Sequence, residues 1–231
     1  QYQHALFPIF AALPLMAVKA GTTIVSIPLL GPVDFGLAYA LVLIPIGVTG
    51  ATNATNMLAG LNGLEAGLGV VLSATMLLLS VLTNQPEAAV ICAAMLGALV
   101  GFLKYNWFPA KIFPGDATTL MIGASMAVAV ILGNMEKIGL FLFALFFVEF
   151  LLKARSRFQS ESFGSIRTDG ILAPPQKIGS LTHLVMSRGR FTEKQAVLII
   201  LAIQVLVAGG VLAYYYLNSI QFFGFLRPLI G

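Results

Sequence analysis

The stretch Thr52-Asn53-Ala54-Thr55-Asn56-Met57-Leu58-Ala59-Gly60-Leu61-Asn62-Gly63-Leu64-Glu65-Ala66-Gly67 is a polar loop set between two apolar runs, Leu41–Val48 before it and Leu68–Leu82 after it. Runs of that length and apolarity read as membrane helices. Amides at Asn53, Asn56 and Asn62, glycines at positions 60, 63 and 67, and an acid at Glu65 are crowded between them. Polar groups at membrane depth are costly, so their retention points to a cavity, a substrate or an ion.

Composition agrees. The chain is 58% hydrophobic and 10% charged, with a mean hydropathy of +0.94, whereas a soluble domain carries about 25% charged residues. An all-α polytopic membrane domain over residues 1–231 is expected. One cysteine, Cys92, excludes a disulfide framework and a cysteine metal site, and two histidines, His4 and His183, are too scattered for zinc. A net charge of +4 would suit nucleic acid in a soluble protein. Here the basic residues flank apolar segments, so membrane orientation and phosphate-bearing ligands are the expected meaning, and nucleic acid is not an expected partner.

Spans of roughly 20 apolar residues predict about seven helices, near 5–20, 34–52, 64–83, 88–104, 117–134, 138–153 and 194–217. Residues 22–33, β-branched and ending in Pro28 and Gly31-Pro32, predict a short extended or hairpin element. Gln1-Tyr2-Gln3-His4 lacks a basic start, so no cleavable signal is expected and an upstream portion is. If the Asn53–Gly67 loop faces the cytoplasm, residues 104–116 and 154–193 do too. That side then holds ten of the 13 Lys and Arg, leaving Lys19, Lys137 and Arg227 opposite, a positive-inside arrangement. A site built from all three loops follows.

Each candidate residue also has a purely structural reading. Asn62 and Glu65 have capping-box spacing, and Asp116, after Pro114-Gly115, suits an N-cap. Asn53 and Asn56 lie one helical turn apart on one face, where their oxygens can join a magnesium shell or hold a sugar hydroxyl. Asp116 beside helix-start N–H groups can hold a cation that bridges to phosphate. Trp107 and Tyr105 read as interfacial anchors, with Asn106 undecided. Arg155 and Arg157 fit the topology rule and equally fit diphosphate recognition. Glu149 is expected to pair with Lys153 at i,i+4, and His183 to be a loop or interfacial residue.

The Asn53–Gly67 motif, followed by Asn106-Trp107-Phe108-Pro109 and Phe113-Pro114-Gly115-Asp116, resembles the polyprenyl-phosphate N-acetylhexosamine-1-phosphate transferases. It is most similar to their eukaryotic and archaeal branch, the UDP-GlcNAc–dolichyl-phosphate GlcNAc-1-phosphotransferases. Bacterial members usually have Asp-Gly where Ala59-Gly60 stands. The resemblance implies a fold of about ten helices, of which this chain would supply the C-terminal part. It implies transfer of GlcNAc-1-phosphate from UDP-GlcNAc to a polyprenyl or dolichyl phosphate, the first step of lipid-linked oligosaccharide synthesis. By position, Asn56 and Asp116 would be catalytic and hold Mg²⁺ (or Mn²⁺), and Asn53 would support the diphosphate. Gly60, Asn62 and Phe113 would form the uridine pocket, and Arg155 and Arg157 would bind diphosphate or sugar. The family's adjacent aspartate pair is expected upstream of Gln1 on further helices, so residues 1–231 alone are expected to be inactive. A homodimer, an active site on the cytoplasmic face, and an archaeal plasma membrane in preference to endoplasmic reticulum are expected as well. The alternative is a transporter or channel with a polar vestibule, which would place ionisable residues near the bilayer midplane.

Overall fold

A computed structural model describes residues 6–27 and 30–230, with side chains through 218. Ala5, where the first helix is expected to start, His4 and Pro28 lie outside the described residues. So does the side chain of Arg227.

The chain is helical almost throughout. A short helix α1 (Ile9–Ala17) leads to an antiparallel hairpin of β1 (Ile24–Ile27) and β2 (Gly31–Asp34), with Ile24 opposite Asp34. A π-helical turn, Tyr39–Leu43, runs directly into α2 (Ile44–Met57). Then come α3 (Leu64–Leu82), α4 (Pro86–Asn106), α5 (Gly115–Leu132), α6 (Glu136–Leu142) and α7 (Ala144–Arg155). A loop carrying β3 (Ser165–Ile166) and β4 (Leu172–Ala173) leads to α8 (Leu181–Ser187) and the long α9 (Glu193–Ile230).

Four of these helices are long and apolar enough to cross a membrane among the described residues: α3, α4, α5, and α9 over Glu193–Asn218. The other three predicted spans are interrupted or short. Helix α1 carries Pro14, which removes a backbone donor. The second span starts as π-helix. The span predicted over 138–153 is broken at Phe143 into α6 and α7. At that break the carbonyl of Leu142 accepts a hydrogen bond from Nε2 of Gln204, a fully buried amide on α9, at 3.0 Å. A polar side chain inside an apolar helix is thereby accounted for, because a buried carbonyl needs a donor.

Periodicity decides which faces meet. On α3 the buried side chains Leu64, Leu68, Leu72, Met76 and Leu79 recur every three or four residues, and on α4 Ala88, Cys92, Met95 and Leu99 do the same. The remaining faces are apolar and outward, as at Val90, Val100, Leu151 and Leu206, which is how a helix facing lipid differs from one facing water. Helices α3, α4, α5 and α9 share one core with α6 and α7. Helix α1, the π-turn and α2 form a second core against Ala127 and Ile131 of α5.

Helices α2 and α5 cross closely. At Gly123 of α5 a Cβ atom would lie 2.4 Å from the Ala51 carbonyl oxygen and 2.5 Å from Thr52 Cα. Gly123→Ala should therefore push the two helices apart and lower stability by about 1–3 kcal/mol, the scale of overpacking. Gly97→Ala, with nothing within 4 Å of the added carbon, should leave it nearly unchanged. Thermal unfolding of both variants in detergent checks the contrast.

Candidate functional site

The up-and-down course of the helices brings the C-terminal ends of α2, α4 and α7 to the same end as the N-terminal ends of α3, α5 and α9. The three loops expected to share a face do so. Asn62 contacts Glu193 and Ala110, Ser162 Oγ donates to the Met57 carbonyl at 2.8 Å, and Phe163 lies against Gly60. The other end is closed by different contacts: the Thr22 amide donates to Asn134 Oδ1, and the Tyr39 hydroxyl to Glu136.

Asn53 and Asn56 occupy the last turns of α2. Nδ2 of Asn53 donates to the Thr49 carbonyl at 2.8 Å. Asn56 reaches across to α5, where its amide lies 2.7 Å from the Thr119 hydroxyl, and that hydroxyl lies 3.0 Å from the carbonyl of Asp116. Thr119 Oγ1 donates to Oδ1 of Asn56, and that oxygen keeps a second lone pair for a further partner. The carbonyl of Thr119 is taken by Thr55 Oγ1 at 2.8 Å, so this corner is bonded on both sides.

Asp116 is not an N-cap. Helix α5 begins at Gly115 after Pro114, so Asp116 stands in its first turn with no side-chain cap bond and its carboxylate exposed. It complements the helix dipole there. Among the described residues no three His, Cys, Asp or Glu converge. The Asn56 amide, which meets the Thr119 hydroxyl, and the exposed Asp116 carboxylate one helical turn before Thr119 on α5 offer two hard oxygen donors at the same end. That suits Mg²⁺, which takes one or two protein oxygens and fills its shell with water and phosphate.

The capping box expected from Asn62 and Glu65 is not formed. Gly63 is the N-cap of α3, with φ of 80°, and a Cβ there would lie 2.7 Å from Trp107 Cε3, so both backbone and packing demand glycine. Glu65 instead accepts the Gly60 N–H at 2.5 Å. Asn62 gives both its backbone N–H and its Nδ2 to Glu193 Oε1, each at 2.6 Å, and accepts the Ala110 N–H at 3.2 Å. Tertiary partners have displaced the local cap. Trp107 is half-buried against Gly63, and Tyr105 is exposed. Asn106 is fully buried and donates to the Ile112 carbonyl at 3.0 Å, fixing the turn that presents the exposed Phe113.

The Glu149–Lys153 pair forms, at 3.7 Å and shielded from solvent. It is more than a surface i,i+4 pair. Glu149 also accepts from Leu181 N at 2.7 Å and Ser180 Oγ at 3.0 Å, Ser162 Oγ lies 3.4 Å from it with its proton on the Met57 carbonyl, and Lys153 donates to the Ser160 carbonyl at 2.5 Å. This cluster pins the long loop to α7. His183 is not interfacial but 1% exposed. Its Nδ1 accepts the Gly179 N–H at 3.3 Å, so Nε2–H donates to the Phe163 carbonyl at 3.2 Å. Arg155 ends α7 and Arg157 follows at φ of 54°; both are exposed, and no bond joins either of them to Asn53, Asn56 or Asp116.

The sequence reading missed Thr119, Glu193, Ser162 and Ser180. Hydroxyls carry little signal by themselves. Glu193 had a weak one, an acid beside Thr192-x-x-Gln195 at the start of an apolar run.

A sequence profile of the family described as Glycosyl transferase family 4 matches residues 1–134. A Saccharolobus solfataricus protein provisionally named UDP-N-acetylglucosamine–dolichyl-phosphate N-acetylglucosaminephosphotransferase is 40% identical over 210 residues, 90% of this chain and 65% of the relative. A Sulfolobus acidocaldarius protein with the same provisional name is also 40% identical over 210 residues, covering 90% and 64%. A Phospho-N-acetylmuramoyl-pentapeptide-transferase of Rubrobacter xylanophilus is 43% identical over 107 residues, 46% of this chain and 32% of the relative. The chain thus spans a little under two thirds of the length of the archaeal relatives.

Burial holds the His183 pKa below its ordinary 6.5, outweighing the Phe163 carbonyl bond, which favours the charged ring. Above 6.5 the ring is neutral both folded and unfolded. As pH falls below 6.5 towards the depressed folded value, the unfolded chain takes a proton that the folded chain refuses, and stability is lost. Thermal melts between pH 8 and pH 5 should show this decline, and His183→Gln should flatten it.

Proposed function

The chain belongs to glycosyl transferase family 4, and on that premise we propose that the protein transfers N-acetylglucosamine-1-phosphate from UDP-GlcNAc to a polyprenyl or dolichyl phosphate. One observation carries the reading: Asn56 bonds across from α2 to Thr119 in the first turns of α5, the turns that carry Asp116, at the loop end of a bundle of membrane-length helices. A polar corner beside apolar helix ends suits a reaction whose acceptor is a phosphate on a lipid chain and whose donor is water-soluble. The names of the two archaeal relatives, matched along 90% of the chain, support the same donor and acceptor. The match to the muramoyl-pentapeptide transferase covers only 46% of it. A transporter would place its polar groups near the helix midpoints. Here the charged cluster is at one end, and the buried Gln204 serves a helix break.

In this reading an oxygen of the lipid phosphate attacks the sugar-bearing phosphorus, and the bond to UMP breaks. Asn56 and Asp116 hold Mg²⁺, with Mn²⁺ as a substitute. When bound there, the ion would supply positive charge against the diphosphate, and such reactions depend chiefly on positioning and electrostatics. Asn53 supports the diphosphate. Gly60 and Asn62, with Phe113 on the neighbouring turn, take the uridine. Arg155 and Arg157, exposed at the same end, supply guanidinium forks to diphosphate or sugar. The loop end faces the cytoplasm by the positive-inside rule, in an archaeal plasma membrane. Further polypeptide matching the rest of the relatives' length completes the site, and a homodimer is the proposed assembly.

The test is transfer of labelled GlcNAc-1-phosphate from UDP-GlcNAc to a polyprenyl phosphate, with and without Mg²⁺, by the full-length protein. Asp116→Asn keeps the shape and removes the charge, and should cut turnover by about 10²–10³-fold, the scale of losing one preorganised electrostatic group. Unchanged turnover in Asp116→Asn would remove Asp116 from the chemistry. A folded native protein inactive on UDP-GlcNAc would remove the reading itself.

A further inference from the structure

Glu193 opens the longest helix of the chain, and its carboxylate is not used for that helix. The start of α9 is capped by its neighbours: Thr192 Oγ1 accepts the Gln195 N–H at 3.4 Å, and Gln195 Oε1 accepts the Thr192 N–H at 3.0 Å. This reciprocal box satisfies the helix start. Glu193 is therefore free to turn away, and it does so across 131 residues of sequence to Asn62.

The contact is double and directional. Glu193 Oε1 accepts the backbone N–H and the side-chain Nδ2–H of Asn62, each at 2.6 Å. On its other side the Asn62 amide accepts the Ala110 N–H at 3.2 Å. Turning the amide over would set Oδ1 against a carboxylate and Nδ2 against an N–H, two repulsions in place of two bonds, so the network allows one orientation only. Each amide atom keeps one further bonding direction, since Nδ2 has a second proton and Oδ1 a second lone pair. The same turn is held from α3, where Glu65 accepts the Gly60 N–H. Two carboxylates from two helices thus grip the turn at alternate peptide units, 60 and 62.

We infer that Glu193 is a positioning residue for nucleotide binding: it fixes the orientation of Asn62 and the path of the Gly60–Asn62 turn, so that the remaining donor and acceptor of Asn62 point at an amide-like base edge. The inference rests on the proposed transferase reading for the identity of the ligand, but not for the contact itself. Glu193 touches no reacting atom. Its loss acts on the affinity for the sugar nucleotide and leaves the lipid phosphate and the chemical step alone.

The experiment compares native, Glu193→Ala, Glu193→Gln and Gln195→Ala full-length proteins by hydrogen exchange over residues 58–63 and by steady-state kinetics. Glu193→Ala should speed exchange in that segment and raise the KM for UDP-GlcNAc about ten-fold or more, the scale of losing a charge-assisted hydrogen bond. The kcat and the KM for polyprenyl phosphate should stay within about two-fold, a difference too small to mark a lost hydrogen bond. Glu193→Gln keeps an acceptor oxygen and should recover most of both effects. Gln195→Ala weakens the helix cap without touching Asn62 and should change neither. Unaltered exchange in a folded Glu193→Ala protein overturns the inference, and so does faster exchange with an unaltered KM for UDP-GlcNAc. If the native protein does not turn over UDP-GlcNAc at all, the transferase reading fails, and the exchange comparison by itself decides whether Glu193 holds the turn.

Discussion

Two carboxylates hold the turn between α2 and α3, Glu65 through the Gly60 N–H and Glu193 through the Asn62 N–H. Apart from the bond of the Leu64 N–H to the Leu61 carbonyl, the peptide groups of this turn lack the regular partners of a helix, and between membrane-length helices a missing partner is expensive. The turn therefore takes its partners from other elements, and in doing so ties them together. Asn62 carries the 107–114 loop through Ala110 and the start of α9 through Glu193. With Ser162 on the Met57 carbonyl, four separate segments are bound at one end of the bundle.

The same demand explains polar residues elsewhere that look out of place. Gln204 sits within an apolar helix because the Leu142 carbonyl at the α6–α7 break needs a donor. Glu149 is fully buried because Leu181 N, Ser180 and Ser162 converge on it, with Lys153 beside it. A carboxylate with one cationic neighbour and two hydrogen-bond donors can remain buried where an isolated one could not. The effect is to hold the long connection between α7 and α9 against the helix ends, and with it His183 and Phe163.

Much of this was legible beforehand because membrane segments announce themselves by length and apolarity. The hairpin at 22–33, the helices α3, α4 and α5, and the shared end of the three polar loops all followed from runs, breaks and charge. Asn53 and Asn56 were placed on one helix face by spacing, and they stand in the last turns of α2. The break at Phe143 was not legible, because Phe143 lies in an unbroken apolar run and the group that satisfies the Leu142 carbonyl there, Gln204, is on another helix. Nor was the true partnership of Asn62 and Glu65: their spacing suits a mutual cap, but Glu65 turns back to the Gly60 N–H and Asn62 goes to the distant Glu193.

What the sequence by itself determined is the class of molecule, the four membrane-length helices and the gathering of Asn53, Asn56, Asn62 and Asp116 at one end, because these depend on local apolarity and on alternation across a bilayer. The tertiary structure alone decided which atoms meet: Asn56 with Thr119, Asn62 with Glu193, Glu149 with Ser180. Those contacts span from 31 to 131 residues, and no local pattern encodes them. They arise where helix ends leave donors and acceptors unpaired, and the partner that fits is whichever side chain the packing of apolar faces has brought within reach.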